Sequence, residues 1–238
     1  MKRTFLFLLA AIMLGAALQS CDQEDNNGNN NGGNNNGGGN GNSTMSVQWV
    51  DLGLPSGLLW ADRNVGASSP EVYGNYYAWG ETAPKEVYSW NTYAHGKTSR
   101  TLTKYCTVSN YGRNGFTDNL TTLEASDDAA TVNIGGGART PTDDDWQELL
   151  DNTTSTWTTQ NGIQGYLLTA SNGNSVFLPA AGGRFDSDFG YTRERGYYWS
   201  STLYTNYPDE AWLNCFDQGG LGMIPQARRD GFPIRAVR

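Results

Sequence analysis

Every residue from 26 to 42 is Asn or Gly. Such a segment carries no apolar side chain, so it gains no hydrophobic free energy to offset the entropy that ordering would cost. It divides the chain of 238 residues into a short N-terminal part and a long C-terminal part, residues 46–238, which must contain any core. A Gly-rich coil of this length has ends about 25 Å apart, so the composition predicts a flexible tether.

The segment before the tether has the pattern of an export signal. Lys2 and Arg3 provide positive charge. The apolar stretch that follows, residues 5–18, is shorter than the ~20 residues of a membrane-spanning helix. It ends in a small residue followed by Cys21, which is similar to the lipobox of bacterial lipoproteins. We predict a signal peptide over residues 1–20 and lipidation at Cys21, with an ordinary secretory signal as the alternative.

An acidic run, residues 22–25, separates Cys21 from the tether. It resembles the export tag of Bacteroidota-type lipoproteins that reach the outer cell surface; a solvated charge run is the alternative. Residues 21–45 are therefore predicted to be a lipidated Cys, an acidic tag and a tether. The expected location is the outer membrane, where the N-terminal lipid holds the protein facing the cell exterior.

Charge and composition exclude several functions. The formal net charge is −8, whereas a nucleic-acid-binding protein needs a basic surface. The chain has one His, His95, and three Cys. These are too few for a multi-histidine metal site, a four-cysteine zinc site or a disulfide framework. We therefore expect no nucleic-acid partner, no metal and no cofactor.

Short alternating segments separated by Gly, Pro and Asn dominate residues 46–238 and predict strands. The candidate strands are Val47–Leu52, Leu58–Ala61, Gly165–Thr169, Ser175–Pro179, Tyr197–Thr202, Ala211–Phe216 and Gly231–Val237. Asn172-Gly173 is a strong turn signal and predicts a hairpin between the two segments that flank it.

Two short helices are also predicted. One covers Leu123–Ala130, and the other begins after Thr142, a natural N-cap. The acidic residues 143–145 complement the positive end of the helix dipole, which explains them without a metal ion. The expected fold class is α+β, with short antiparallel strands, two small helices and long loops.

Several segments, in order, resemble the Fibrobacter succinogenes major paralogous domain family from about residue 48 to the end. The matching segments are Val50–Gly57, Leu59–Ala61, Asn64–Ala67, Tyr77–Thr82, Leu178–Gly182, Tyr198–Ser201 and Arg235–Arg238, together with the single positions Arg139, Pro141, Thr142, Trp146 and Leu149. The resemblance implies a C-type-lectin-like fold, in which the chain ends lie close together and a long loop region presents ligands. It also implies similarity in shape to formylglycine-generating enzymes and to variable proteins of diversity-generating retroelements.

Two of the functions found on such folds fit this chain poorly. Formylglycine-generating enzymes use a pair of reactive Cys near the C-terminus, but here only Cys215 lies there and Cys106 is far away. A disulfide between these two is one alternative, and two free thiols are the other. Calcium-dependent lectins need six to eight oxygen ligands, and the nearest strings, residues 207–209 and 212–214, lack several of them.

The third relation, to retroelement variable proteins, implies a ligand-binding window at residues 184–229. Its aromatic residues offer rigid contact area, and its Asn, Asp and Arg residues offer hydrogen bonds. Strand alternation places residues 212, 214 and 216 on the binding face and residues 211, 213 and 215 in the core. Trp199 and Phe232 are also expected in the core. The candidate ligand-binding residues are Phe185, Asp186, Asp188, Tyr191, Arg193, Arg195, Tyr204, Asn206, Tyr207, Asp209, Trp212, Asn214 and Phe216.

Signals for catalysis are weak. His95 lies in a polar segment without a nucleophile motif and is expected on the surface; the glycines at 135–137 lack the Lys-Ser/Thr of a phosphate-binding loop. Asp186 and Asp188 could form a catalytic pair of carboxylates, but so could many other pairs among the 24 acidic residues. We predict a surface-displayed binding domain, not an enzyme, whose ligand is a surface protein or a glycan. The alternatives are a structural or adhesin-like subunit without a variable site and an enzyme related to formylglycine-generating enzymes.

Overall fold

The computed structural model describes residues 46–238. The predicted signal peptide, Cys21, the acidic tag and the tether lie outside the described residues. The strands are β1 (Trp49–Asp51), β2 (Leu59–Asn64), β3 (Thr153–Gln160), β4 (Ile163–Ala170), β5 (Ser175–Pro179), β6 (Gly183–Phe185), β7 (Asp188–Gly190), β8 (Arg195–Leu203), β9 (Glu210–Asp217), β10 (Gly220–Ala227) and β11 (Arg235–Val237). The helices are α1 (Ala129–Ile134) and α2 (Asp143–Asp151). No helix in this part of the chain is long and apolar enough to cross a membrane.

These elements form small antiparallel sheets with few helices, so the α+β class predicted from the sequence is confirmed. The orders are β1-β2-β11, β10-β9-β8, β3-β4-β5 and β6-β7. The hairpin predicted at Asn172-Gly173 joins β4 and β5, and β5 has the predicted bounds.

The first sheet joins the two ends of the described chain. β1 and β11 both pair with β2, and the amides of Leu59 and Arg238 donate to each other's carbonyls at 3.0 and 3.1 Å. Arg235 in β11 is fully buried, and its guanidinium donates to Asn64 Oδ1 and to three backbone carbonyls. These bonds satisfy the donors of a buried cation and fix the terminal strand on β2.

The β8-β9-β10 sheet separates two cores and is apolar on both faces. One face contributes Tyr197, Trp199, Ala211 and Leu213 to the first core, which also contains Phe232. The other face contributes Tyr198 and Phe216 to the second core, with Trp60, Trp146 and Tyr166. Trp199 and Phe232 are thus core residues, as predicted.

Both helices form where local capping is strongest. α2 follows the predicted N-cap: the Thr142 hydroxyl accepts from the Asp145 amide, and the Asp145 carboxylate accepts from the Thr142 amide. The first helix was predicted over Leu123–Ala130, but α1 starts at Ala129. The reason is Asp128, whose carboxylate accepts from the Ala130 and Thr131 amides and so marks the helix start.

Residues 65–128 form the long loop region, which contains three short 3-10 turns and no named strand. It folds around aromatic side chains that are almost fully buried: Tyr76, Tyr77, Trp79, Tyr88, Tyr93 and Tyr105. Their hydroxyl and indole groups find partners, since Tyr93 donates to the Trp79 carbonyl and Trp79 donates to the Ser200 carbonyl. The region is therefore packed onto β8 rather than projecting from the sheets.

Four strands were missed by the sequence prediction: β3, β6, β7 and β10. β3 is rich in Thr and Ser with one Trp, and β6 and β7 have three residues each. The predicted strand Gly231–Val237 is longer than the observed β11, because pairing with β2 begins only at Arg235.

Candidate ligand-binding surface

The structure separates the predicted binding residues into two groups at opposite ends of β8. Arg195 at the start of β8 pairs with Asp217, and Leu203 at its end pairs with Ala211. A strand of this length spans about 26 Å, so about that distance separates the two groups. An interface with a protein partner buries about 800 Å² on each side and spans roughly 30 Å, whereas a short glycan contacts one group alone. The single window therefore stays a prediction.

The first group, here called the aromatic surface, consists of Tyr204, Tyr207 and Trp212. Tyr204 and Tyr207 stack with ring centroids 5.7 Å apart and an interplanar angle of 25°, and Trp212 meets Tyr204 edge-on at 5.0 Å. Tyr207 is 52% exposed, while the other two are half-buried. The Tyr204 ring thus contacts both other rings, and the three form a packed platform with a solvent-facing side.

Polar residues surround the aromatic surface. Asn206 is exposed, and Asp209 is partly buried in the same loop, where burial raises the pKa of its carboxyl. The long loop region adds Tyr111, whose ring meets Tyr207 at 6.4 Å, and Arg100, whose guanidinium lies 3.8 Å from the Tyr111 ring. Aromatic area bordered by amide, carboxylate and guanidinium groups is typical of recognition surfaces.

Arg228 fixes the backbone of the loop that carries the aromatic surface. Its side chain is fully buried, and its guanidinium donates to the Pro208 carbonyl at 2.7 Å and the Tyr105 carbonyl at 2.9 Å. Its backbone amide donates to the Asp209 carbonyl at 3.0 Å. The loop between β8 and β9 is thereby tied to β10 and to the long loop region.

Aromatic rings enclose the same guanidinium. It lies 4.8 Å from the Trp79 ring, 5.4 Å from Tyr93 and 5.7 Å from Tyr105. Such contacts stabilise a desolvated cation that has no carboxylate bonded to it among the described residues. Neither Arg228 nor Tyr111 was identified from the sequence. Arg228 contacts Tyr105 and Tyr111 contacts Tyr207, which are distant in the chain, and no local motif marks either residue.

The second group lies around β6 and β7 and includes Asp186, Asp188, Tyr191, Arg193 and Arg195, all exposed. One face of each exposed ring contacts a cation of this chain: Arg195 lies 4.9 Å from the Tyr191 ring and Arg184 lies 4.2 Å from the Phe189 ring. Both rings still remain accessible, with Phe189 59% and Tyr191 49% exposed. Phe185 is partly buried between this surface and the first core, with its ring 6.1 Å from Tyr191 and 5.7 Å from Phe232.

Two residues predicted on the binding face are buried instead, which corrects the alternation argument. Phe216 is 1% exposed and stacks on Tyr198 at 5.8 Å, and Asn214 is 0% exposed. Their face of β9 is covered by the second core, since β9 is the central strand of a sheet with cores on both sides. Gly196, opposite Phe216, leaves room for its ring, because a Cβ there would overlap the ring atoms.

The two thiols are free: Cys106 is buried and Cys215 is partly buried. The structure therefore contains no disulfide between them. Burial raises the pKa of Cys215 to about 12 and also raises the pKa of Cys106, so both favour the unreactive thiol form at neutral pH.

His95 was expected on the surface but is partly buried in the long loop region. Its Nε2 lies 2.8 Å from the Gly80 carbonyl, and its ring meets Tyr93 and Tyr105 edge-on at 5.7 and 5.8 Å. Burial lowers the pKa of His95, which keeps the ring neutral near pH 7. The hydrogen bond assigns the proton to Nε2, so His95 acts as a donor that holds Gly80.

A polar pocket lies beside His95, and its charged groups are engaged with one another. Lys85 Nζ is 2.7 Å from the Glu81 carboxylate, and the Asp127 carboxylate accepts from Lys104 and Tyr105 at 2.6 Å. Among residues 46–238, no group of three or more His, Cys, Asp or Glu side chains is placed to hold a metal ion.

No protein-family model, no curated protein and no solved structure matches the chain.

Proposed function

We propose that residues 46–238 are a C-type-lectin-like domain that binds a surface protein or a glycan through the aromatic surface, Tyr204, Tyr207 and Trp212. The observation that carries this proposal is the combination of an exposed ring cluster with a loop backbone fixed by buried Arg228. Binding through residues that are already ordered costs less conformational entropy than binding through a mobile loop. The aromatic surface meets that condition.

Two features support the C-type-lectin-like assignment. Both ends of the described chain pair with β2, in agreement with the proximity of chain ends that the family resemblance implies. The long loop region, residues 65–128, lies against the β8–β9 loop, and the Thr107 hydroxyl donates to the Thr205 carbonyl at 2.8 Å. A long loop therefore borders the proposed binding surface.

In the proposed arrangement, the lipid on Cys21 and the Asn/Gly tether hold this domain at the outer membrane, facing the cell exterior. Protease treatment of intact cells is the test. Loss of residues 46–238 from the cell surface is expected, whereas full protection of the protein in cells with intact outer membranes would contradict surface display.

The proposal also includes a role as a diversity-generating retroelement target, with variation in the window 184–229. Because Asn214 and Phe216 are core residues, we expect variation at exposed positions such as Tyr207 and not at these two. Sequences of sibling copies from one population test this. Substitutions spread evenly over 46–238 would favour the alternative, a structural or adhesin-like subunit without a variable site.

The ligand is to be identified by probing a glycan array and a membrane-protein extract with residues 46–238. A specific signal in one of the two, lost after denaturation, is the expected result. Absence of specific binding in both would contradict the proposed function. The bound glycan or protein is then checked for chemical change after incubation with residues 46–238. An unchanged ligand is expected of a binding domain, whereas conversion of the ligand would favour the enzyme alternative.

A further inference from the structure

β3 is an edge strand whose outer side is free among residues 46–238. It pairs only with β4, in the order β3-β4-β5. Gln160 and Ile163 close a two-residue turn, so the backbone groups of residues 154, 156, 158 and 160 face β4. Those of Ser155, Trp157 and Thr159 consequently face outward, with three amides and three carbonyls in a row.

This edge lacks the features that normally prevent pairing with another strand. Its sequence, TTSTWTTQ, contains no charge and no Pro, and its register with β4 is continuous over all eight residues. Another long edge strand, β10, differs, because Pro225 occupies an outward-facing position and removes a donor there. Exposed, regular and uncharged edges are templates for strand addition.

The sequence of β3 is nearly symmetric about Trp157. Thr156 and Thr158 flank it, followed by Ser155 and Thr159. In an antiparallel pair centred on Trp157, each outward-facing residue meets an outward-facing residue of the second strand. Cross-strand Thr–Thr and Ser–Thr contacts are favourable pairs. Such a self-complementary surface is what a two-fold dimer interface requires.

We propose that two copies of this protein associate through their β3 edges, antiparallel and centred on Trp157, to form one continuous six-stranded sheet. The occupant is thus a second copy of the chain. Trp157 packs on Tyr166 at 5.3 Å and on Phe216 at 6.4 Å but remains partly exposed. Meeting the partner's Trp157 on the two-fold axis would remove this remaining apolar surface from water.

The register is tested by disulfide trapping in cells that express the full-length protein with two different tags. One copy carries Thr156→Cys and the other Thr158→Cys, two positions that the proposal places directly opposite each other. A cross-linked heterodimer on non-reducing gels is expected. Thr154→Cys with Thr158→Cys is the matched control and should give little product, since the proposal pairs position 154 with position 160. Equal cross-linking of both combinations, or none, would overturn the proposal.

Charge variants test the interface without a covalent bond. Thr156→Lys/Thr158→Lys places like charges opposite each other twice, and we expect the dimer to weaken roughly tenfold or more. Thr156→Lys/Thr158→Glu places opposite charges there and should retain the dimer. Sedimentation of the detergent-solubilised full-length protein measures both, with thermal unfolding to check that the variants fold equally. Identical masses for the two variants would contradict the proposal.

Hydrogen exchange identifies any other occupant. The Trp157 amide should become more protected as protein concentration rises, in step with dimer formation. Protection that is independent of concentration would mean that another segment of the same chain covers β3, and the proposal would be wrong.

Discussion

The guanidinium of Arg228 donates a 2.9 Å hydrogen bond to the hydroxyl of Tyr93, and neither side chain is exposed to solvent. The same hydroxyl donates to the Trp79 carbonyl at 2.7 Å. Burial raises the pKa of Tyr93 to about 12, although Arg228 opposes the shift, so the hydroxyl keeps the proton it donates. The pair connects the long loop region to the loop that carries the aromatic surface.

Removing the Tyr93 hydroxyl should destabilise the protein. Tyr93→Phe leaves the Nε donor of Arg228 and the Trp79 carbonyl without their partner in a buried site. The expected loss in the free energy of unfolding is about 1–3 kcal/mol. Urea denaturation measures it. Tyr191→Phe, at a 49% exposed ring, is the matched control and should change stability by less than about 0.5 kcal/mol. Equal effects of the two substitutions would contradict the role of this pair.

Gly196 is required by the ring of Phe216. An added Cβ would overlap that ring, so Gly196→Ala should lower the free energy of unfolding by about 1–3 kcal/mol through overpacking. Gly222→Ala in β10 is the control, because no atom lies within 4 Å of its added Cβ. Thermal unfolding measures the stability of both variants relative to the wild type. If Gly196→Ala is as stable as Gly222→Ala, then Phe216 is not packed as described.

Asp230 makes stability depend on pH. Its side chain is 4% exposed and lies 3.6 Å from Arg229 Nε, and burial raises the pKa of Asp230 to about 6. The unfolded chain has the lower pKa, about 4, so between pH 4 and 6 it binds fewer protons than the folded chain. This group therefore lowers the free energy of unfolding as pH rises through that window, in total by on the order of 2–3 kcal/mol.

Asp230→Asn removes this dependence, so the variant should be more stable than wild type at pH 7, with the difference vanishing near pH 4. Urea denaturation at several pH values between 4 and 7 measures the difference. Asp188→Asn, at an exposed carboxyl, serves as the control. A stability difference for Asp230→Asn that stays constant with pH would show that ionisation of Asp230 is not its cause.

Local signals in the sequence were sufficient for the elements that depend on neighbouring residues. Thr142 and Asp145 cap α2 through contacts three residues apart, and Asn172-Gly173 supplies the turn between β4 and β5. These interactions are complete within a few residues, so composition and spacing reveal them.

Contacts between distant segments could not be predicted in the same way. Alternation along β9 indicates two faces, but it cannot tell that both are covered, and so Phe216 was wrongly assigned to the surface. The anchoring of the β8–β9 loop depends on Arg228 and Tyr93, which are 135 residues apart. β3 was missed because Trp157 is its only large apolar residue, so its sequence shows no alternation of apolar and polar side chains.

The most direct test of the central claim compares two aromatic pairs at opposite ends of β8. Once a ligand is identified on the glycan array or in the protein extract, its affinity is measured for Tyr207→Ala/Trp212→Ala and for Phe189→Ala/Tyr191→Ala. Truncating a hot-spot aromatic costs about 2 kcal/mol or more, which is roughly thirtyfold in affinity, so the first variant, which lacks two, should bind roughly 100- to 1,000-fold more weakly with its fold intact. The second should bind as wild type does. Unchanged affinity of the first variant, or an equal loss in the second, would contradict recognition by the aromatic surface.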